Sequence, residues 1–265
     1  YFLIFPILQK LSCFFDIPHT IYLRIIIIKK EKPRRCIHCL KYFESVTDDH
    51  ILPQSWYSQS NPPNFAKPQA PACSKCNAHY GKVEKYLLIR LGETFDSKDK
   101  NYGNIADKAI RSIDPKYGKN SRDKIAREKA RSELVREIVP YFYSDRRVLP
   151  NFGMKSNIYR SDLPWLPIDE NQLRDFAYKL ARGVTYVFEK SYIEDNYKIE
   201  VSFPSEYEVV ALVLRNRFKR LISTPSLEIY RDDDPKIRSV DKVLGFYLIK
   251  IWDRLNICVS IKKHF

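Results

Sequence analysis

The stretch RRCIHCLKYFESVTDDHILPQ, residues 34–54, decides the fold of the chain around it because it supplies half of a predicted metal cluster. It opens with a C-x-x-C pair, Cys36 and Cys39, and a second pair, Cys73 and Cys76, follows further along the chain. Four thiolates in two such pairs are the ligand set of a tetrahedral zinc site. We therefore predict a structural Zn²⁺, because four protein ligands leave no coordination position open for substrate.

The cysteines also allow two other interpretations. Four unrelated buried thiols would hold no metal, and a thiol–disulfide protein would need only one C-x-x-C pair. The chain has six cysteines, too few for a disulfide-built domain of this length, and their pairing favours a metal in a reducing cytosol. We therefore predict a cytoplasmic protein, and we expect Cys13 and Cys258 to be ordinary buried thiols.

Three further residues accompany the cysteines. Asp49 and His50 lie in a strand-like segment after the first pair, and Asn77 directly follows the second pair at the start of a predicted helix. One residue turns about 100° around a helix, so Asn77 would face away from the zinc and towards the strand. A carboxylate and an amide oxygen suit Mg²⁺ or Mn²⁺, and an imidazole can accept a proton from water. The set predicts metal-assisted hydrolysis of a phosphodiester, with His50 as the base.

Composition fits a nucleic-acid substrate without proving one. The chain carries a formal net charge of +14, with Lys and Arg spread along its whole length. Such a surface attracts polyanions, nucleic acid being the commonest. A hydrophobic content of 44% over 265 residues excludes a disordered chain and allows one large or two modest domains.

Residues 1–33 are interpreted as an apolar leader of uncertain role. Charged and polar residues such as Lys10, Asp16 and Arg24 divide it into pieces shorter than the roughly 18 apolar residues that a membrane-spanning helix requires. It also lacks the basic start and small-residue cleavage site of a signal peptide. We expect no stable membrane partner, and a membrane anchor is the minority alternative.

The order of these parts resembles the HNH endonucleases of the ββα-metal class, in their bacterial, four-cysteine zinc-stabilised form. The resemblance covers residues 34–92 and lies in the pattern C-x2-C, D-H-I-x-P and C-x2-C-N. It implies a nuclease module in which His50 is the general base and Asp49 and Asn77 bind the catalytic Mg²⁺ or Mn²⁺. It also implies cleavage that leaves 5′-phosphate and 3′-hydroxyl ends.

The chain departs from the family pattern at two positions. A middle Asn of the family motif braces the loop between the two strands, but this chain has Pro68 at the usual place. Either Asn64 or Asn61 could take over that bracing role, and we rank Asn64 first. The third motif position is Asn77 rather than His, a variant that still supplies a metal-binding oxygen. His38, inside the first cysteine pair, is expected to be an exposed loop residue.

Beyond this module the sequence predicts a helical connecting region over residues 93–166. One of its helices is ended by Pro140, and Lys124, Arg127 and Arg131 share a face of that helix. These cations could follow a phosphate backbone. The favoured alternative is a solvated face with ion pairs between residues four apart.

Residues 167–265 are predicted to form an α+β domain of unknown role. A helix begins near Asp169 and buries one apolar side, made of Leu173, Phe176, Ala177 and Leu180. Strand-like patterns recur at residues 197–203, 226–230, 245–252 and 256–261, with a helix predicted at 205–222. An antiparallel sheet with helices on one face accommodates these elements.

Together these features predict an α+β protein: a zinc-stabilised ββα-metal (HNH) module, a helical segment and a C-terminal antiparallel sheet with helices. The predicted partner is DNA, duplex or branched, and a homodimer is possible. The alternative from another class is a non-catalytic, zinc-dependent nucleic-acid-binding module in which Asp49 and His50 are structural.

Overall fold

The fold is described by a computed structural model at residues 33–138, 166–215, 218–232 and 243–264. Within those ranges the chain is mixed α and β, as predicted, with five α-helices and nine β-strands. The strands form two short two-stranded ladders and one five-stranded antiparallel sheet. Residues 1–32 of the predicted leader, together with Cys13, lie outside the described residues.

The two ladders occupy the segment that carries the cysteines. Strands β1 (Arg34–Arg35) and β2 (Tyr42–Phe43) pair antiparallel around the first cysteine pair. Strand β3 (Thr47–His50) pairs antiparallel with β4 (Gln69–Ala72), so that His50 lies opposite Gln69. Strand, loop, strand and helix therefore follow one another in the predicted order.

Three helices follow the ladders. Helix α1 (Ser74–Gly92) buries Val83, Leu87 and Leu91, and it packs against α2 (Gly103–Ile113). A Cβ on Gly92 would lie 2.5 Å from Cβ of Ala109, so glycine at this position is what lets the two helices approach. Helix α3 (Ser121–Glu137) confirms the helix predicted before Pro140.

Helix α4 (Glu170–Glu189) also confirms its prediction. The side chain of Asp169 caps it by accepting a hydrogen bond of 2.8 Å from the N–H of Asn171, which satisfies a backbone donor at the helix start. The four predicted apolar residues, Leu173, Phe176, Ala177 and Leu180, are all buried. This face packs into the main core.

The C-terminal sheet has the strand order β5-β9-β8-β7-β6. Every neighbouring pair in it is antiparallel, which confirms the predicted sheet. Its elements in chain order are β5 (Tyr197–Ser202), helix α5 (Glu206–Arg215), β6 (Phe218–Ser223), β7 (Leu227–Asp232), β8 (Val243–Ile251) and β9 (Leu255–Lys263).

Two details of the predicted C-terminal region are wrong. The helix predicted over residues 205–222 ends at Arg215, and its second half is strand β6, an edge strand paired with β7. A tight turn in which the N–H of Thr224 donates to the carbonyl of Leu227 at 3.0 Å returns the chain. The backbone groups of β6 form hydrogen bonds with β7. The sequence pattern of this segment alone does not indicate that pairing.

The helices also cover both faces of the sheet rather than one. Along β8, Tyr247 and Ile249 join the main core, to which α4 contributes. The residue between them, Leu248, points the other way and packs with Cys258 and with Val209 of α5, because successive strand side chains alternate between faces. The buried environment predicted for Cys258 is confirmed.

One core joins the cysteine-bearing half to the C-terminal sheet. The ring centroids of Trp56 and Trp252 lie 4.6 Å apart, and Trp56 is also 4.6 Å from Phe176 of α4. The indole N–H of Trp252 donates to the carbonyl of Trp56 at 2.7 Å. The sheet therefore supports the strand–loop–strand segment directly. In the part of the chain that the structure covers, no helix has the length and apolar character needed to cross a membrane.

Candidate functional site

The four cysteines come together at the junction of β1, β2 and α1. Their sulfur atoms all lie within 4.8 Å of one another, and the Sγ atoms of Cys39 and Cys73 are 3.9 Å apart. Four sulfurs at about 2.3 Å from a tetrahedral zinc are roughly 3.8 Å from each other. The cluster of Cys36, Cys39, Cys73 and Cys76 could therefore hold a metal ion such as zinc.

Backbone hydrogen bonds shape the loop that carries the first pair. The N–H of Leu40 donates to the carbonyl of Cys36 at 3.0 Å, and the N–H of Ile37 donates to the carbonyl of Pro71 at 2.9 Å. Leu40 has a φ of 60°, a left-handed conformation that is uncommon for a residue with a side chain. The loop thus holds a strained turn next to the sulfur cluster, and it is tied to β4.

The pKa values of three of the thiols shift in different directions. Burial raises the pKa values of Cys39 and Cys76. Burial also acts on Cys36, but backbone N–H groups of Cys39, Cys73 and His38 outweigh it and lower the pKa of this thiol. A bound cation would favour the thiolate form at all four positions, because metal ligands must be deprotonated.

His38 is buried, so its predicted exposure is wrong. Its ring packs on Tyr80 of α1 with 4.4 Å between centroids, and it is 9% exposed. Neither ring nitrogen has a hydrogen-bond partner in the described part of the chain. Burial, with the charges of Lys179 and Arg182, lowers the pKa of His38 to about 3. The loop folds over the start of α1, and this turns the ring inward.

Strand β3 separates the two neighbouring aspartates. Asp48 makes an ion pair with Arg34 of β1. Asp49 points to the other face, where its Oδ2 lies 2.9 Å from Nζ of Lys179. The pair is an ionic contact rather than a hydrogen bond, since Oδ2 of Asp49 is buried without a hydrogen-bond partner in the described structure. The alternation of side chains along a strand accounts for the difference.

His50 occupies the end of β3. Its Nε2 lies 3.3 Å from the side-chain nitrogen of Gln69, its partner across the ladder. Its Nδ1 is buried and makes no hydrogen bond within the described residues. The imidazole is partly exposed to solvent.

Asn77 lies on the side of β3 that Asp49 shares. Its side-chain nitrogen donates to Oγ1 of Thr47 at 3.1 Å. Thr47 and Asp49 are two residues apart, so they share one face and are separated by about 6.6 Å along the strand. The structure thus places Asn77 beside the predicted strand face, in contact with Thr47 rather than with Asp49 itself.

The loop between β3 and β4 is tied down by Asn61. Its Oδ1 accepts a hydrogen bond of 3.2 Å from the N–H of Ser226 in the turn between β6 and β7. Asn64 is exposed, and no side-chain hydrogen bond links it to the described residues. The loop ends are closed by the N–H of Ile51, which donates to the carbonyl of Pro68 at 3.0 Å. The bracing role assigned to Asn64 remains a prediction.

Two charged residues near Asp49 were not foreseen from the sequence. Lys179 of α4 donates to the carbonyl of His50 at 2.7 Å and makes ion pairs with Asp49 and with Glu84 of α1. Lys179 is only 2% exposed. Burial raises the pKa of Glu84, and the charge of Lys179 opposes that rise.

A weak signal for this pair is present in the sequence. Glu84 precedes Leu87, Leu88 and Leu91 at helical spacing, so it lies on the buried stripe of α1. Lys179 likewise follows the buried Phe176 by three residues. A charge inside an apolar stripe implies a buried partner of opposite sign. Sequence alone does not say which partner.

A glycine brings α4 close enough to contribute Lys179. Gly183 lies one helical turn beyond Lys179. A Cβ added there would come within 2.9 Å of Cγ1 of Ile51, the residue after His50. Any larger residue would push the helix away from the end of β3. The C-terminal region is therefore part of this site.

A basic cleft is lined by side chains of α1, α2 and α3 and of the turns next to them. It has a volume of about 320 Å³ and is lined by Ser55, Leu88, Lys108, Arg111, Ser112, Tyr117 and Arg127. The guanidinium of Arg111 lies 5.5 Å from the ring centroid of Tyr117. Lys108 donates to the carbonyl of Tyr57 at 3.1 Å, and Lys67 lies over the same tyrosine, 5.1 Å from its ring centroid.

The three cations predicted to share a face of α3 differ in their surroundings. Arg127 lines the cleft but pairs with Asp123, four residues earlier. Lys124 and Arg131 are exposed. The presence of a second pair four residues apart, between Lys129 and Glu133, gives support to the alternative of a solvated, ion-paired face.

The pKa of His50 supplies a first testable prediction. Burial and the charges of Lys67 and Lys179 lower it, against an opposing effect of Asp49. In the unfolded chain the pKa of His50 is about 6.5. As pH falls through that value, His50 therefore takes up a proton more readily in the unfolded than in the folded state. His50 then disfavours the folded state. The His50 imidazole therefore stays neutral to a lower pH than an ordinary histidine.

We expect Lys67→Gln to raise the midpoint of the His50 titration, because the change removes a nearby positive charge. The imidazole NMR signal of His50, followed from pH 4 to 9 without added divalent cation, measures it directly. Lys198→Gln, at a lysine on β5, serves as a control that leaves the midpoint in place. A midpoint that does not move in Lys67→Gln would contradict the proximity of the two charges.

The chain matches no protein-family model, no curated protein and no solved structure at a significance that would identify a relative.

Proposed function

We propose that this chain is a metal-dependent endonuclease that hydrolyses phosphodiester bonds in DNA. The observation that carries the proposal is the geometry of β3 and α1. A four-cysteine cluster starts the helix, and the same helix holds Asn77 against the strand face on which Asp49 lies, with His50 next in sequence. The resemblance of residues 34–92 to HNH endonucleases supports the same activity.

In this proposal the cysteine cluster binds zinc and has a structural role. The zinc would fix the first turn of α1 against the loop between β1 and β2, so that the position of Asn77 against Thr47 and Asp49 is set. All four sulfurs are used, and no ligand position remains for substrate. Chemistry then takes place at the strand, not at the cluster.

The residues present fit a hard divalent cation. Asp49 offers a carboxylate and Asn77 an amide oxygen, the ligand types of Mg²⁺ and Mn²⁺. Such a cation, when bound, stabilises negative charge on the phosphate and on the leaving oxygen. Because Mg²⁺ keeps several of its waters, Asn77 can act through a water as well as directly.

His50 would accept the proton of the attacking water. Its ring is partly exposed at the end of β3, and its contact with the Gln69 amide is a long one, at 3.3 Å. A water can replace such a contact without leaving a buried group unsatisfied. A lowered pKa keeps the imidazole neutral near pH 7, which is the form that a base requires.

The basic cleft would hold the substrate backbone. Lys108 and Arg111 line it without a carboxylate partner among the ion pairs of the described residues, and Lys67 lies between this region and His50. Such contacts position a strand by its phosphates and carry no base specificity. DNA affinity should therefore fall steeply as salt rises.

Two matched variants test the proposed cation site. Asp49→Asn is expected to lower cleavage of a supercoiled plasmid in Mg²⁺ or Mn²⁺ by about 10²-fold or more, a rough scale for loss of charge stabilisation. Asp48→Asn makes the same chemical change one residue earlier, where the carboxylate pairs with Arg34, and should leave the rate unchanged. EDTA should stop cleavage by every variant, and zinc content should stay at about one per chain.

Other outcomes distinguish the alternative, a zinc-dependent binding module without catalysis. The ion pair of Asp49 with the buried Lys179 favours a structural role for this aspartate. If wild type binds plasmid but does not cut it with any cation, that alternative replaces the nuclease. If Asp49→Asn loses zinc as well as activity, the two metal sites assigned to this region have been confused.

A further inference from the structure

The ammonium of Lys179 lies among oxygen atoms of the kind that bind a metal ion. It faces three oxygens: Oδ2 of Asp49 at 2.9 Å, the carbonyl of His50 at 2.7 Å, and a carboxylate oxygen of Glu84. Two carboxylates and a carbonyl are typical ligands of a hard cation. Here the positive charge between these ligands is the side-chain ammonium of Lys179 on α4.

The ammonium of Lys179 is buried, and the two carboxylates that it contacts are partly buried. Lys179 is 2% exposed, and the side chains of Asp49 and Glu84 are each 16% exposed. Charges this far from water are stable only when paired. With one positive and two negative side chains, the group keeps one excess negative charge. It can still attract a cation, but only from the side that Lys179 does not fill.

We propose that Lys179 occupies an inner cation position between Asp49 and Glu84, and thereby confines a divalent cation to the side of Asp49 that faces Asn77. Lys179 engages Oδ2 of Asp49, which leaves Oδ1 for the cation. Repulsion between like charges excludes a second cation from the inner position. Lys179 is thus a positioning residue, and its role in cleavage rests on the nuclease activity proposed above.

The C-terminal region helps to define the cation position, because α4 carries Lys179. Lys179 reaches the site because Gly183 lets α4 approach Ile51 at the end of β3. The helix is held in turn by the core that it shares with the C-terminal sheet. Residues far apart in the sequence therefore define together where a cation can bind.

The test is the Mn²⁺ affinity of the zinc-loaded full chain, measured from the EPR signal of free Mn²⁺. Lys179→Met removes the ammonium and keeps the length of the side chain. We expect Mn²⁺ to bind about tenfold more tightly or better, because two partly buried carboxylates then share an empty cation position. Plasmid cleavage should fall, because the cation moves away from Asn77. Lys82→Met, at an exposed lysine of α1, should change neither quantity.

A second pair of variants keeps the test valid if Lys179→Met does not fold. Glu84→Gln is compared with the double variant Lys179→Met/Glu84→Gln, in which only one partly buried carboxylate remains. The double variant should bind Mn²⁺ more tightly than Glu84→Gln alone. Equal affinity in that comparison, or an unchanged affinity in folded Lys179→Met, overturns the inference.

The two proposals can fail separately. A wild-type protein that does not cut DNA, with a Lys179→Met variant that gains Mn²⁺ affinity, would remove the nuclease and keep the inner cation position. A wild-type protein that cuts DNA, with a Lys179→Met variant that cuts and binds Mn²⁺ as before, would keep the nuclease. In that case Lys179 only joins α4 to β3.

Discussion

Replacing His50 with alanine is expected to slow DNA cleavage by about 10²–10⁴-fold, the usual contribution of a general base. Zinc content, Mn²⁺ affinity and DNA binding should change little. The imidazole lies at the edge of β3, and its only side-chain partner in the described structure is Gln69, at 3.3 Å. Its removal should therefore take away the proton acceptor without unfolding the strand.

The measurement is single-turnover cleavage of supercoiled plasmid at saturating enzyme, with DNA binding followed separately by fluorescence anisotropy in EDTA. His79→Ala makes the same chemical change on α1. His79 is largely exposed and lies 3.5 Å from Asp175, so this control should cut at the wild-type rate. A His50→Ala variant that cuts as fast as wild type would remove His50 from the mechanism.

Added imidazole separates loss of the base from loss of structure. Free imidazole can enter the space left by the ring and accept the proton. It should therefore restore part of the cleavage rate of His50→Ala. The rescue should grow with the fraction of free imidazole in its neutral form as pH rises. No rescue, together with a lowered melting temperature, would show that the ring mainly supports β3.

The cysteine spacing was sufficient to predict that the four thiols meet, because four ligands in two pairs admit few geometries. The four sulfurs do meet within 4.8 Å. The apolar stripe of α4 was equally readable, since Leu173, Phe176 and Leu180 recur at helical spacing and are all buried. Patterns of this kind can be recognised in the sequence without knowing how the rest of the chain packs.

What the sequence did not predict depends on long-range contacts. Strand β6 has a pattern that also suits a helix, and only its pairing with β7 makes it a strand. Lys179 and Glu84 are 95 residues apart along the chain, so their meeting at Asp49 depends on how α4 packs. His38 is buried because the loop that carries the first cysteine pair folds over Tyr80.

Loss of one zinc ligand should have the largest effect on stability. Structural zinc contributes about 10–16 kcal/mol to the folding of zinc-finger peptides. Here a larger core also supports the loop. We therefore expect Cys73→Ser to lower the free energy of unfolding by only a part of that contribution, about 3 kcal/mol or more. For a chain of this size the melting temperature should then fall by about 6–12 °C. Zinc content should drop with it.

The loss should begin locally. Strands β1 and β2 have two residues each, too few to hold a hairpin in water without other support. Leu40 adds a strained turn with φ of 60°. Hydrogen exchange should therefore become fast first at residues 34–43 and in the first turn of α1, while the amides of the C-terminal sheet stay protected.

Cys258→Ser is the matched control, since it makes the same exchange of sulfur for oxygen at a buried cysteine outside the cluster. It should keep one zinc per chain. Its free energy of unfolding should fall by only about 1–3 kcal/mol, the cost of a buried hydroxyl without a hydrogen-bond partner. If both variants keep zinc and melt alike, the cluster does not hold a structural metal. If only Cys73→Ser loses zinc, with cleavage lost and DNA binding kept, the metal acts by placing Asn77 against β3.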